Sequence, residues 1–272
     1  MKKCETVFFI GSGPGDPELI TVKGKRLLKE ADVVIYAGSL VKEKVLQYAK
    51  KDAAIYNSAS MTLEQIMEIM KEAANNGKKV ARLHTGDPTL YSALREQADI
   101  LECAGIPYEV IPGVSSAFAS AAALKEELTM PEVTQTVIFT RLEGNTPVPE
   151  KERLSELARH NATMCIFLSV AMMEKVVEEL REGYPEDTSV AVVYRATWED
   201  EKIVRGTLKD IAVKVKKAKI ARQAMIIVGK TLNPPLPPFG KGGMGGFSSK
   251  SKLYDKNFEH GYRKKEKLRG DD

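Results

Sequence analysis

The sequence predicts an α/β fold: two α/β domains with mostly parallel sheets. Three observations predict it. Short apolar runs alternate with amphipathic stretches along the first half of the chain. Two of those runs lead into the same tripeptide, Gly15-Asp16-Pro17 and Gly86-Asp87-Pro88. After Leu128-Thr129-Met130-Pro131 the alternation resumes with a hairpin-like pair of runs about Trp198-Glu199-Asp200, which implies some antiparallel pairing. Glycine permits positive φ and close approach, and proline fixes the exit from a turn. Stiff turns at strand ends therefore predict a ligand crevice outside the carboxyl ends of the strands.

The elements follow in order. Thr6–Ile10 reads as a strand, 19–30 as an amphipathic helix, Asp32–Tyr36 as a strand and 41–49 as a short helix. Residues 62–75 form a helix opened by Ser60 or Thr62, with Glu64 and Gln65 behind the cap. A strand at 79–84 precedes a helix at 91–104. A strand at 108–111 stops at Pro112-Gly113, and an alanine-rich helix at 115–124 starts near Ser115 or Ser116. In the second part, strands are expected at 136–140, 163–169, 189–194, 202–206 and 224–229, with helices at 151–160 and 172–181. The resulting division is 1–128 and 129–232. A stretch at 233–251 rich in Pro and Gly reads as a flexible insert, and 252–272 as a charged tail carrying Tyr254, Phe258 and Tyr262.

Composition narrows the function. A net charge of +4 over 272 residues gives no nucleic-acid signature and is compatible with an acidic small molecule. No apolar run approaches the roughly 18–20 residues that span a bilayer, and the N-terminal run is too short for a signal peptide, so a cytoplasmic protein is expected. Cys4, Cys103 and Cys165 form no Cys-x-x-Cys pair, and His84, His160 and His260 lack metal-ligand spacing, so no protein-bound metal is expected. Gly11-Ser12-Gly13-Pro14-Gly15 is not a dinucleotide fingerprint. Its spacing differs from G-x-G-x-x-G, Pro14 removes an N–H, and no acidic residue follows Ile35-Tyr36-Ala37-Gly38 to hold a ribose. No Gly-Lys-Ser/Thr follows either, which excludes a P-loop. The bland alternative for the segment is a structural glycine turn.

Four segments in order change that weighing: 11–21, beginning at the glycine turn; 82–91, Arg-Leu-His-Thr-Gly-Asp-Pro-Thr-Leu-Tyr; 110–116, Val-Ile-Pro-Gly-Val-Ser-Ser; and Thr140-Arg141. Together they resemble the tetrapyrrole (corrin/porphyrin) methyltransferases, from Thr6 to about Lys230. Within that family, Tyr36–Val41, Asn57–Leu63, Glu132–Thr136 and Lys252–Phe258 are similar to the branch that methylates C-11 of precorrin-4 in cobalamin synthesis. The Pro/Gly stretch departs from the family pattern just before the last of these.

The resemblance implies S-adenosylmethionine as methyl donor, a tetrapyrrole substrate, a homodimer and a ligand cleft between two domains. Matched by motif, the donor set is Pro14, Thr85, Gly86, Asp87, Leu90, Ser115, Ser116, Leu168, Ala196 and Ala224. The bland reading of Leu168, Ala196 and Ala224 is core packing, that of Asp87 is a residue fixing its own turn, and that of His84 is a packing residue. Displacement from a sulfonium needs alignment more than a catalytic triad, so no catalytic residue is singled out. A substrate bearing carboxylates calls for basic side chains, and Arg82, Arg141 and Arg195 stand at or beside strand ends. Tyr36, Gly38, Ser39 and Met61 complete the expected substrate wall. Alternatives left open are another ring position of a related corrinoid, uroporphyrinogen III, and a small-molecule sensor without turnover.

Overall fold

The computed structural model describes residues 4–144, 146–232, 259, 261 and 262. These residues fall into two units. The first comprises 1–125 with 192–203 and 220–225; the second comprises 126–191, 204–219 and the residues from 226 onward. The expected insert at 233–251 and nearly all of the 252–272 tail lie outside the described residues.

The first unit is built on a five-stranded sheet of β1 (Val7–Gly11), β2 (Val33–Tyr36), β3 (Ala54–Asn57), β4 (Val80–His84) and β5 (Tyr108–Ile111), in the order β3-β2-β4-β1-β5. Every pairing is parallel, and Gly11 lies level with His84, so the strands end together. Alternation along the strands divides the core into two layers. Val7, Phe9, Val33, Ile35 and Val80 pack with Ile66, Met67 and Met70 of α2 (Leu63–Asn75) and with Leu101 of α3 (Leu94–Cys103). On the other layer Ile10, Val34, Ala81, Leu83 and Ile111 pack with Leu27 and Leu28 of α1 (Val22–Glu30).

Local chemistry sets the element ends. The Thr62 hydroxyl accepts from the Gln65 N–H while the Gln65 side chain accepts from the Thr62 N–H, a reciprocal cap that fixes the start of α2 and contributes about 1 kcal/mol. The first helix starts at Val22 rather than 19, because Pro17–Leu19 form a 3-10 turn capped by Asp16 and Thr21 caps α1. Residues 43–48 are likewise a 3-10 turn. The helix expected from 91 begins at Leu94, since Tyr91 and Ala93 adopt left-handed φ of 51° and 53°. α4 (Ser116–Leu124) is capped by the Ser115 hydroxyl.

The second sheet contains β6 (Val137–Arg141), β7 (Thr163–Phe167), β8 (Ser189–Tyr194), β9 (Lys202–Thr207) and β10 (Ala224–Val228), in the order β6-β7-β10-β8-β9. β6 runs parallel to β7 and β10 antiparallel to it, so this sheet is mixed. Its helices are α5 (Leu154–Ala158), shorter than the expected 151–160, then α6 (Met173–Leu180) and α7 (Ile211–Lys217).

Candidate active site

Three strands of the first sheet end in backbone packed on backbone. A Cβ on Gly113 would fall 2.1 Å from the Gly86 carbonyl oxygen, and one on Gly11 would fall 2.6 Å from the same atom. No side chain fits at either position. Gly13 and Gly86 pair across this junction, the Gly86 N–H donating to the Gly13 carbonyl at 2.9 Å. Gly86 is constrained differently. Its φ is +61°, while a Cβ there would come no closer than 3.6 Å to its neighbours, Ser115 Cα and the Ser116 nitrogen. The turn at 85–87 therefore packs its main chain against the start of α4, with Gly86 itself buried. The structure thus brings together Gly13, Thr85-Gly86-Asp87 and Ser115-Ser116, segments separated by up to a hundred residues in sequence.

Asp87 ties this junction. One carboxylate oxygen accepts from the Thr89 N–H at 2.8 Å and from its hydroxyl at 2.5 Å; the other accepts from the Gly113 N–H at 2.8 Å. Burial pushes its pKa up, but the bonds from Thr89 and Gly113 outweigh burial and hold it below the usual carboxylate value. Leu90 closes the turn through its N–H to the Asp87 carbonyl at 3.4 Å. Ser12 donates twice to the His84 carbonyl, from N–H and from Oγ, each at 2.8 Å.

Beneath the turns lies a buried polar chain. The Arg82 guanidinium donates to Gln97 Oε1 at 3.2 Å and to Ser58 Oγ at 2.8 Å, and Ser58 donates in turn to the Tyr36 carbonyl at 3.1 Å. Gln97 and Ser58 are both neutral, and burial draws the Arg82 pKa down to about 10. His84, on the same face of β4, is held neutral: burial and then the Arg82 charge lower its pKa to about 3. Its Nε2 and the Ser120 hydroxyl are the buried side-chain polar atoms without a hydrogen-bond partner among the described residues. The Tyr36 hydroxyl donates to Glu43 at 2.8 Å. A Cβ on Gly38 would strike the Asn57 side-chain amide at 2.3 Å, and the Ser39 carbonyl accepts from Gln223 at 2.9 Å. Met61 is half-buried and packs against the α2 layer of the core.

The turn at 195–201 belongs to the same unit and grips the first glycine turn. Trp198 Nε1–H donates to the Pro14 carbonyl at 2.9 Å, and the Thr197 hydroxyl accepts from the Asp16 N–H at 2.9 Å. The indole leaves no room beside Gly15, where a Cβ would fall 2.2 Å from Trp198 Cδ1. Thr197 has φ of 71°, a conformation that costs a β-branched residue on the order of 1–3 kcal/mol. Arg195 is committed to Asp200 at 2.7 Å and Gln223 at 2.8 Å and stacks on the Tyr194 and Trp198 rings. Ala196 is buried; Ala224 is half-buried at the start of β10.

In the second unit, Arg141 holds the loop after β6 through the carbonyls of Thr146 at 3.0 Å and Pro147 at 2.9 Å. Leu168 is not a core residue: it is 62% exposed and adopts φ of 55° directly after β7. Next to it Ser169 is buried, donating to the Phe167 carbonyl at 2.6 Å and accepting from the Leu142 N–H at 2.8 Å. Among the described residues, no three His, Cys, Asp or Glu side chains cluster as metal ligands would, and no helix is long and apolar enough to cross a membrane.

Residues 6–212, which contain every one of these turns, match the family of Tetrapyrrole (Corrin/Porphyrin) Methylases. The chain belongs to the tetrapyrrole methylases. A member from Methanocaldococcus jannaschii, cobalt-precorrin-4 C(11)-methyltransferase, is 62% identical over 268 residues, covering 98% of this chain and 99% of that protein. Among solved tetrapyrrole methylases, a cobalt precorrin-4 methyltransferase of cobalamin biosynthesis superposes with a TM-score of 0.82 at 50% identity, covering 84% of this chain and 96% of that one. A uroporphyrin-III C-methyltransferase from Thermus thermophilus, solved with S-adenosylhomocysteine, superposes at 0.71 with 30% identity, covering 84% of this chain and 98% of that one.

The residues of this tetrapyrrole methylase fit a ligand of the S-adenosylmethionine type. Beside Gly86, whose own N–H and carbonyl face Gly13, half-buried Thr85 and Ser116 at the start of α4 line this junction with polar groups rather than a cluster of charges. A zwitterionic amino-acid head and a neutral nucleoside call for that kind of surface.

Proposed function

We propose that this chain transfers the methyl group of S-adenosylmethionine to C-11 of precorrin-4 or of cobalt-precorrin-4, a step of cobalamin biosynthesis. The observation that carries the reading is 62% identity, along 98% of the chain, to a relative bearing that activity in its name. The donor supplies a methyl group on a positively charged sulfur, which leaves readily.

The protein's own task is then alignment. Pro14, Thr85, Gly86, Asp87, Leu90, Ser115, Ser116, Leu168, Ala196 and Ala224 are the proposed donor set, as the family resemblance implies. The Asp87 carboxylate acts by fixing the turn, since both its oxygens are engaged by Thr89 and Gly113. Rigid turns hold the donor in one orientation, and orientation alone lowers a barrier by several kcal/mol, up to about 7–11 in the best cases.

Tyr36, Gly38, Ser39, Met61, Arg82, Arg141 and Arg195 are the proposed substrate wall. The three arginines differ in how much charge they have left to offer. Arg195 already faces Asp200, whereas the partners of Arg141 and of Arg82 are neutral, and of these two Arg82 is the buried one. A buried guanidinium so placed raises the potential at the end of β4 and favours a substrate carboxylate nearby. The enzyme acts in the cytoplasm as a homodimer under this reading.

The test is incubation with S-adenosylmethionine labelled in its methyl carbon, on precorrin-4, cobalt-precorrin-4 and uroporphyrinogen III in parallel. Label at C-11 of either precorrin-4 form is expected. Turnover of uroporphyrinogen III alone would move the activity to another ring position. Donor binding without turnover on any of the three would favour a sensor.

A further inference from the structure

We infer that the 195–201 turn is a clasp that sets the Gly11–Pro17 turn in its donor-binding form, with Trp198 and Thr197 as positioning residues. The inference rests on the donor reading above and adds to it two residues that the family motifs do not supply.

The first glycine turn has little to hold it from within. It has three glycines, and its two prolines, Pro14 and Pro17, lack an N–H. Asp16 spends its side chain on the Glu18 N–H, two residues away, so it caps its own 3-10 turn and reaches nothing distant. On the β1 side its anchors are Ser12 on the His84 carbonyl and the backbone pair of Gly13 with Gly86. The others come from a segment more than 180 residues further on: the indole N–H on the Pro14 carbonyl, the Thr197 hydroxyl on the Asp16 N–H, and the indole face against Gly15.

The clasp is itself braced. Thr197 N–H donates to Glu201 at 2.7 Å and Trp198 N–H to the Arg195 carbonyl at 3.0 Å, which stabilises the left-handed Thr197. Lys42 and Arg195 lie over the indole at 5.3 and 4.9 Å, and Lys42 also pairs with Glu199. Cations on an aromatic face fix its orientation as well as its position. Pro14 has no side-chain hydrogen-bonding group, so the direction of its carbonyl is set from outside, and the fixed point is the indole. Loss of the clasp frees the turn without opening the core, because Trp198 and Thr197 are only half-buried.

The test uses the full chain and four variants, Trp198→Ala, Trp198→Phe, Thr197→Val and Thr197→Ser, with two readouts. Amide hydrogen exchange without ligand reports on the clasp alone. The Asp16 amide is expected to exchange at least tenfold faster in Thr197→Val and at the wild-type rate in Thr197→Ser, which keeps the hydroxyl. Calorimetry with S-adenosylhomocysteine reports on the donor site. Trp198→Ala is expected to weaken binding tenfold or more; Trp198→Phe, which keeps the ring and loses only the N–H, by about threefold; and Thr197→Ser not at all. The single tryptophan is expected to change its emission on ligand binding in the wild type. Unchanged Asp16 exchange in Thr197→Val, or wild-type affinity in a folded Trp198→Ala or Trp198→Phe protein, overturns the clasp. If the wild type binds no S-adenosylhomocysteine, the donor reading fails first and takes the donor-positioning role with it, whatever the exchange data say.

Discussion

The two Gly-Asp-Pro turns share a tripeptide and are held in opposite ways. The second is locked from inside its own sheet. Asp87 reaches across to Gly113 and back to Thr89, and the Gly86 carbonyl is wedged between Gly11 and Gly113. The first is held by side chains from far along the chain, Thr197 and Trp198. Its aspartate serves only as a local cap. The same three residues thus specify a turn but not its anchor. The anchor depends on the neighbours: β4 is flanked by β1 and its turn meets the end of β5, while the loop after β1 has room for an indole beside Gly15.

The sharpest way to break this comparison is to add one carbon at each turn. Gly113→Ala sets a Cβ against the fixed Gly86 carbonyl, so the strand ends must separate; a loss of about 3 kcal/mol or more is expected in chemical denaturation. Gly15→Ala displaces the clasped indole rather than backbone, and a smaller loss of about 2 kcal/mol is expected. Equal losses, or the reverse order, would mean that the two turns are anchored alike.

A smaller effect separates the aspartates. Asp87→Ala leaves the Gly113 and Thr89 N–H groups unpartnered and is expected to cost about 2 kcal/mol, whereas Asp16→Ala loses one cap and costs about 1 kcal/mol. The Asp87 effect also carries a pH signature. Its carboxyl titrates below 3.8 in the folded protein, so its stabilisation is complete above the unfolded value and fades as pH falls through the folded one. Asp87→Asn removes that acid-side loss, which a denaturation series from neutral pH down to about pH 3 would record.

What was legible in the sequence follows the same division between local and distant. The caps at Thr62 and Ser115 and the parallel strands of the first sheet could be read because the signals lie within a few residues of each other. The turn-fixing role of Asp87 was readable in part: its bond to Thr89 is local, but that to Gly113 is not. Strand β3 has no counterpart in the sequence reading, because all four of its residues are exposed and give no alternation. α7, a seven-residue helix with three lysines and two buried side chains, was equally silent. Leu168 is apolar and follows a buried strand, so composition points to the core, whereas a left-handed φ turns it outward. The partnership of Trp198 with Pro14 spans 184 positions and leaves no periodic signal at either end. Arg82 could be picked out by its place on β4, but its burial against Ser58 and Gln97 depends on a turn and a helix whose juxtaposition only the fold supplies.

The central claim is that the turns at the ends of β1, β4 and β5 bind the methyl donor. It is tested most directly by a crystal structure of the full chain at saturating S-adenosylhomocysteine. The account predicts ligand atoms within hydrogen-bonding distance, about 3 Å, of the main chain at Thr85–Asp87 and Ser115–Ser116, with Pro14 in contact. A ligand bound elsewhere, with those turns empty, would contradict it.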